Sequence, residues 1–339
     1  MKAFAIKEKG VVSAIEVEAP KMTSTDVLIE VHYIGLCGSD LNSYRGLMPL
    51  VTLPRIPGHE ISGKVVDKGA AVPDSIKIGK NVTVSPYTNC NTCPACKAGR
   101  PNTCEFNQTL GVQREGALTE FIAVPYEKVF VSETLSLEEL ALVEPMSVGY
   151  HGANRGQICE TDTVLLLGCG TIGMGALVAA VRKGATVIAL DIDDSKLEQA
   201  RKFGAHYTIN SLKADALAEI RRITSNEGVN VAVEAAGTQI TYKLALDAVC
   251  FAGRIVFIGY PKSEVSIEAP LLVRKEVNIY GSRNALRVFP SVISMFEKKT
   301  MPFISLITKV FPFAQTPDAF KFWDENTGKV SKILIDVKH

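Results

Sequence analysis

The sequence predicts an α/β chain in two parts, a β-rich region and a doubly wound parallel sheet with helices on both faces. Three observations carry this. The chain has 339 residues, more than one ordinary core accommodates. Its first ~145 residues are β-rich, broken by glycine and proline, and lack long helical periodicity. From about residue 161, continuous apolar strands alternate with helical segments, the pattern of a parallel sheet covered on both sides.

The elements follow in order. Segments 27–34, 63–66 and 82–84 carry the β-branched enrichment of strands, and 137–141 is the first with helical spacing. Segment 164–167 is an apolar strand, followed by a helix that reaches Lys183 with Gly184 at its C′ position. A strand at 186–190 leads into a helix capped by Asp194, with Leu197, Ala200 and Phe203 on one face and Gly204 at its end. Further strands are expected at 206–209, 229–234 and 254–258, with helices near 212–224 and 239–250. The tail beyond about residue 285 is too short for a domain and is expected to pack on the first region. The eighteen uncharged residues 164–181 reach the length of a membrane span. Four glycines inside them and charged flanks favour a strand, a turn and a buried helix.

Charges nearly cancel, with 37 Lys+Arg against 36 Asp+Glu, and no basic run marks a nucleic-acid or membrane-surface partner. The first residues lack the apolar stretch of a signal peptide, so a cytoplasmic protein is expected.

Half of the eight cysteines fall in Cys90-x2-Cys93-x2-Cys96-x7-Cys104. Four thiolates at this spacing close around one tetrahedral zinc, and the metal would stabilise a lobe too irregular to have its own core. Two disulfides are the alternative, disfavoured in a reducing compartment. Such a closed site is structural.

Gly168-Cys-Gly170-Thr-Ile-Gly173 follows the first strand of the alternating region and opens its first helix, the context of a dinucleotide fingerprint. Gly168 permits the turn, Gly170 lets a pyrophosphate approach, and Gly173 lets helix and strand pack closely. Asp191, at the end of the second strand, would bind ribose hydroxyls and repel a 2′-phosphate. Asp193 and Asp194 follow it instead of an arginine, so NAD is expected rather than NADP. Cys37 and His59 are zinc-ligand types, with Glu60 or Glu144 able to supply an oxygen. Three protein ligands leave an open position, the catalytic pattern.

The segments GLCGSD (35–40), PGHE (57–60), the four-cysteine lobe, VEPMSVGYHG (143–152), GCGTIGMG (168–175) and GSRN (281–284) resemble the zinc-dependent medium-chain dehydrogenase/reductases from end to end. The nearest resemblance is to the polyol and sugar-acid branch, with sorbitol dehydrogenase and L-gulonate or L-galactonate 5-dehydrogenases. It implies a GroES-like catalytic domain over 1–146 and 285–339 and a Rossmann domain over 147–284. It also implies two zinc ions per subunit, NAD, a small-molecule alcohol substrate and a homodimer or homotetramer. Cys37, His59 and Glu60 would hold catalytic zinc, with Glu144 either a ligand or a partner of bound water. Ser39 would relay the substrate proton. Gly168, Gly170, Thr171, Ile172, Gly173, Asp191, Ile192, Lys196, Ala236 and Gly259 would line the cofactor. Many relatives carry a proton-carrying histidine five residues after the zinc cysteine, and this chain has Asn42 there.

For the substrate, Arg283, Arg45 and Arg114 are candidates to pair with a carboxylate, since a guanidinium binds one bidentately. Arg283 is favoured by its place after a cofactor-side strand. A sugar acid oxidised at a secondary hydroxyl is the first expectation, a neutral polyol the second and L-threonine the third. A zinc-free quinone reductase would need neither Cys37 nor the four-cysteine lobe.

Overall fold

A computed structural model describes residues 1–261 and 263–339. The chain divides into one unit of Met1–Glu144 with Phe289–His339 and a second of Pro145–Val288.

The first unit is built on a seven-stranded sheet. Its path runs Ile307–Pro312, Lys332–Asp336, Asp26–Leu36, Glu60–Lys68, Asn81–Val84 and Val129–Ser132, and Phe121–Pro125 also pairs with Asp26–Leu36. Along Asp26–Leu36 the buried side chains alternate at Val27, Ile29 and Val31, then change phase to Ile34 and Leu36. The register with Glu60–Lys68 shifts between Val31 and Tyr33, and this bulge turns the strand so both halves face one core. The tail belongs to that core through Phe311, Phe320, Trp323, Ile333 and Ile335, the last two on the strand that pairs antiparallel with Asp26–Leu36. The two-stranded Lys2–Glu8/Val11–Glu16 ribbon adds Phe4 and Ile6.

The second unit is a six-stranded parallel sheet in the order Tyr207–Asn210, Thr186–Asp191, Thr163–Leu167, Val229–Glu234, Val249–Phe257, Asn278–Gly281. Strand order reverses between Thr163–Leu167 and Val229–Glu234, and open α/β sheets bind ligands at such a switch point. Val164, Leu165, Leu166 and Leu167 are all buried, as a strand covered on both faces requires. The uncharged 164–181 segment is therefore strand, glycine turn and the helix Thr171–Arg182. Among the described residues no helix is long and apolar enough to cross a membrane.

Two local expectations are corrected. The helix Asp194–Lys202 is capped by Asp193, whose carboxylate accepts from the amides of Ser195 (2.8 Å) and Lys196 (3.2 Å). Asp194 is already helical, and its side chain meets Asn210 and Lys213 instead. The cysteine lobe is also less irregular than expected. Pro94 opens a helical turn at Pro94–Lys97 and Pro101 a 3-10 turn at Pro101–Thr103, because proline is pre-set for a first helical position.

Candidate metal centre and cofactor turn

In the first unit, the Asp26–Leu36 strand ends where the helix Gly38–Tyr44 begins, and Cys37 is that helix's N-cap. The Cys37 amide donates to Asp40 Oδ2 at 2.8 Å, which fixes the thiol at the strand end. Glu60 opens the neighbouring strand, where it pairs with Gly35, and His59 immediately precedes it. A Cβ on Gly35 would stand 2.1 Å from Glu60 Oε2, so only glycine leaves room for the carboxylate. The ligand atoms of Cys37, His59 and Glu60 all lie within 4.8 Å of one another. Glu144, in the first turn of Val143–Arg155, does not join that cluster and accepts a short hydrogen bond from the Tyr87 hydroxyl.

Glu60 is shared. Both its oxygens accept from Lys332 Nζ at 2.6 Å, and the same ammonium donates to the Leu36 carbonyl at 2.9 Å. Burial pushes the Glu60 carboxyl up to about 7 even though Lys332 opposes the rise. Burial also raises Glu144, while His59, Tyr87 and Lys332 hold it down. For His59 burial favours the neutral ring, yet the charges of Asp40 and Cys37 hold it well above the ordinary range. The negative charges that hold His59 up are ones a dication among these donors relieves. His59 Nδ1 and Ser39 Oγ are buried without hydrogen-bond partners, the former 3.9 Å from Asp40 Oδ1. The donor set of sulfur, imidazole and carboxylate fits zinc with an open position.

The four lobe cysteines form a second cluster within the same distance limit. Amides of Cys90 and Cys93 point at sulfurs of Cys104 and Cys90, each at 3.3 Å. The Thr92 hydroxyl and the Thr92 and Cys93 amides bring the Cys90 thiol down to about 6, favouring the thiolate a metal needs. All eight cysteines are free thiols, so the disulfide alternative has no counterpart here.

In the second unit the glycines divide the work as their positions demand. Gly168 has φ +97°, and a Cβ on Gly173 would fall 1.9 Å from the Gly168 carbonyl. A Cβ on Gly170 would meet nothing within 4 Å, so the space before Thr171 and Ile172 is open. Helix amides point into that space and suit a phosphate. Asp191 Oδ2 accepts from Cys169 N (2.7 Å), and its Oδ1 accepts from the amides of Ile192 (2.8 Å) and Asp193 (3.1 Å). Lys196 lies close enough for its charge to act on the Cys169 thiol.

Sequence reasoning missed three residues. Lys332 and Tyr87 carry no local signal, because their partners Glu60 and Glu144 are remote in the chain. Glu234 ends its strand and is fully buried. Its Oε1 accepts from the amides of Ala236 (2.9 Å) and Gly237 (2.8 Å) and from Thr241 Oγ1 (2.7 Å). A Cβ on Gly259 would come 2.7 Å from Oε2, so Glu234 gathers Ala236 and Gly259 into one place. An acidic residue closing an apolar strand was the available clue.

The arginines separate. Arg45 is engaged by the tail, donating to Asp324 Oδ1 at 2.5 Å and to Thr327 Oγ1 at 3.2 Å. Arg283 belongs to the second unit. Arg114 lies in the first unit, and among the described residues no carboxylate pairs with it.

Comparison with known proteins completes the picture. Residues 23–133 match the alcohol dehydrogenase GroES-like domain, and residues 171–298 match the zinc-binding dehydrogenase family. The chain is 35% identical to sorbitol dehydrogenase of Bacillus subtilis, over 99% of this chain and 97% of that one. It is 30% identical to L-galactonate-5-dehydrogenase of Escherichia coli, over 90% and 89% respectively. A solved Escherichia coli alcohol dehydrogenase complexed with NADH superposes with a TM-score of 0.91 at 29% identity, covering 99% of both chains. A zinc-binding dehydrogenase from Sinorhizobium meliloti bound to NADP gives 0.90 at 28%, again over 99% of each. With an open sulfur–imidazole–carboxylate centre on a GroES-like unit and a glycine turn at the switch point of a parallel sheet, this chain belongs to the zinc-type medium-chain alcohol/polyol dehydrogenases, NAD(P)-dependent oxidoreductases acting on CH–OH.

Proposed function

We propose that the protein oxidises a secondary hydroxyl of a sugar acid, with NAD as acceptor. The observation that carries the alcohol chemistry is the Cys37–His59–Glu60 cluster together with the buried, unpartnered hydroxyl of Ser39, two residues after Cys37. Cys37, His59 and Glu60 would hold the catalytic zinc, and Cys90, Cys93, Cys96 and Cys104 a structural one, two per subunit. Bound zinc supplies Lewis acidity that lowers the pKa of an alcohol, and bound nicotinamide accepts hydride. Ser39 Oγ has no competing partner and takes the hydroxyl proton of the substrate. Asn42 is an amide that neither gains nor loses a proton at neutral pH, so onward transfer from Ser39 does not run through this side chain. Tyr87 holds Glu144 in place, and Asp40 faces the imidazole of His59.

Asp191, held by three backbone amides, with Asp193 and Asp194 close behind, supports NAD over NADP. The sugar-acid substrate rests on the L-galactonate relative and the unpaired arginine. The sorbitol relative favours a neutral polyol as the second reading. We further propose a cytoplasmic homodimer or homotetramer, which light scattering of the purified protein tests.

The deciding experiment is NAD reduction by the zinc-loaded protein over aldonates, the polyols of equal chain length and L-threonine, repeated with NADP. Fastest turnover on aldonates with NAD is expected. Activity confined to neutral polyols overturns the sugar-acid reading. In the same assay Cys37→Ser is expected to lose turnover and one zinc while NADH binding survives.

A further inference from the structure

Two cations in the metal-bearing unit lack an acidic partner. Among the described residues Arg114 Nη2 reaches only the Pro86 carbonyl, at 3.5 Å, and its buried Nε has no partner. Lys128 Nζ donates to Asn89 Oδ1 at 2.7 Å, and no carboxylate of the described residues lies within ion-pair distance of either group. Both are half-buried. Burial weakens the charged form of each, and Arg114 adds its repulsion to Lys128, which only the exposed Glu127 offsets. Two like charges drawn together and partly desolvated destabilise a fold unless an anion joins them.

Their position is fixed against the metal centre. The loop carrying Arg114 is braced at its base by Gly116 N on Ile56 O (2.7 Å) and Ala117 N on Gly58 O (2.9 Å), directly before His59. On its other side Leu110 N donates to Pro86 O at 3.1 Å, directly before Tyr87, whose hydroxyl holds Glu144. A Cβ on Gly111 would come 2.7 Å from Gly58 N, so loop and metal-bearing segment are in close contact. Lys128 joins through its carbonyl, which accepts from Ser85 N at 2.8 Å.

We propose that Arg114 and Lys128 form an anion subsite beside the metal centre, which receives the carboxylate of a polyhydroxylated substrate whose secondary hydroxyl lies at the Cys37–His59–Glu60 cluster. This rests on the sugar-acid reading and adds the residues that make the choice. Arg114 supplies a planar fork able to bind a carboxylate bidentately, and Lys128 a second point charge. A phosphomonoester shares this chemistry, and a neutral polyol offers nothing to it.

The test compares kcat/KM of the zinc-loaded full chain on D-gluconate or L-galactonate, on the polyol of equal length and on a sugar-alcohol phosphate. It uses wild type, Arg114→Met, Arg114→Lys and Lys128→Met. The acid-to-polyol ratio is expected to fall about 30-fold in Arg114→Met and about 10-fold in Lys128→Met, the scale of lost charge-assisted hydrogen bonds. Arg114→Lys, which keeps a cation, is expected to restore part of the ratio, as a purely structural role would not. If wild type prefers aldonates and Arg114→Met leaves the ratio unchanged, the subsite is refuted and the sugar-acid reading stands. If wild type prefers neutral polyols, both fall. Preference for the phosphate, lost in Arg114→Met, overturns the carboxylate assignment alone.

Discussion

Replacing Lys332 by methionine tests the electrostatics of the metal centre most directly. Lys332 is buried, and its ammonium spends its hydrogen bonds on the Leu36 carbonyl and on both oxygens of the fully buried Glu60. Methionine keeps the volume but leaves the Glu60 carboxylate uncompensated. Removing one member of a buried ion pair costs about 3–5 kcal/mol. At about 2–4 °C per kcal/mol for a unit of this size, Tm falls on the order of 10 °C. The pH dependence follows from Glu60, whose carboxyl stands at about 7 against an ordinary 4.5. A folded-state acid raised in this way contributes stability that is present below about pH 4.5 and lost as pH rises through about 7. Without Lys332 the carboxyl moves higher still. The deficit of the variant is therefore largest above pH 8 and shrinks as Glu60 takes up its proton on acidification. The assay is thermal unfolding of zinc-free wild type and Lys332→Met, followed by circular dichroism at pH 8 and pH 5.5. Zinc added at pH 8 restores part of the loss, because a cation then faces the carboxylate in place of the lost ammonium. A variant whose Tm stays within about 2 °C of wild type at pH 8 refutes the reasoning.

Gly35→Ala sets a methyl 2.1 Å from Glu60 Oε2 and 2.9 Å from its Cβ; total zinc, measured by elemental analysis, is expected to fall by about one ion per subunit relative to wild type, the ion of the open site. Gly170→Ala meets no atom within 4 Å, and its φ of −69° suits alanine, so Tm is expected to hold while NADH affinity, read by fluorescence titration, weakens at least about 10-fold. Gly173→Ala, whose methyl would fall 1.9 Å from the Gly168 carbonyl, is expected to lower both Tm and affinity; equal behaviour of the two variants refutes the division of roles among the glycines. Cys93→Ser leaves the lobe with three thiolates, and limited proteolysis is expected to cut near residues 90–104 at a rate that added zinc no longer slows.

Much of the second unit was legible in the sequence because its determinants are local. Four consecutive apolar residues at 164–167, a glycine turn and an aspartate one strand later each act within a few residues of where they stand. The four-cysteine cluster is equally local, with all its ligands on one short loop. Asp193 rather than Asp194 as the cap shows the limit of such reading. Both residues are competent, and the choice falls to the one left extended once Asp191 has taken the two amides that follow it.

The open centre depended on contacts that only the folded sheet brings about. Cys37 and His59 were recognisable as ligand types, but nothing near Glu60 signals that a lysine from the tail binds both its oxygens. That contact exists because Lys332–Asp336 pairs antiparallel with Asp26–Leu36, which places Ile333 opposite Leu36 and Lys332 beside the end of the strand that leads to Cys37. Arg45 and Arg114 are likewise equivalent in sequence, but the fold brings Asp324 to Arg45, while among the described residues no carboxylate pairs with Arg114. The sequence by itself determined which ligand types, which glycine turn and which sheet this protein has, since propensity and spacing act along the chain. Which charges are neutralised and which remain for a ligand was decided by tertiary structure, because ion pairing depends on distance in space between residues far apart in sequence.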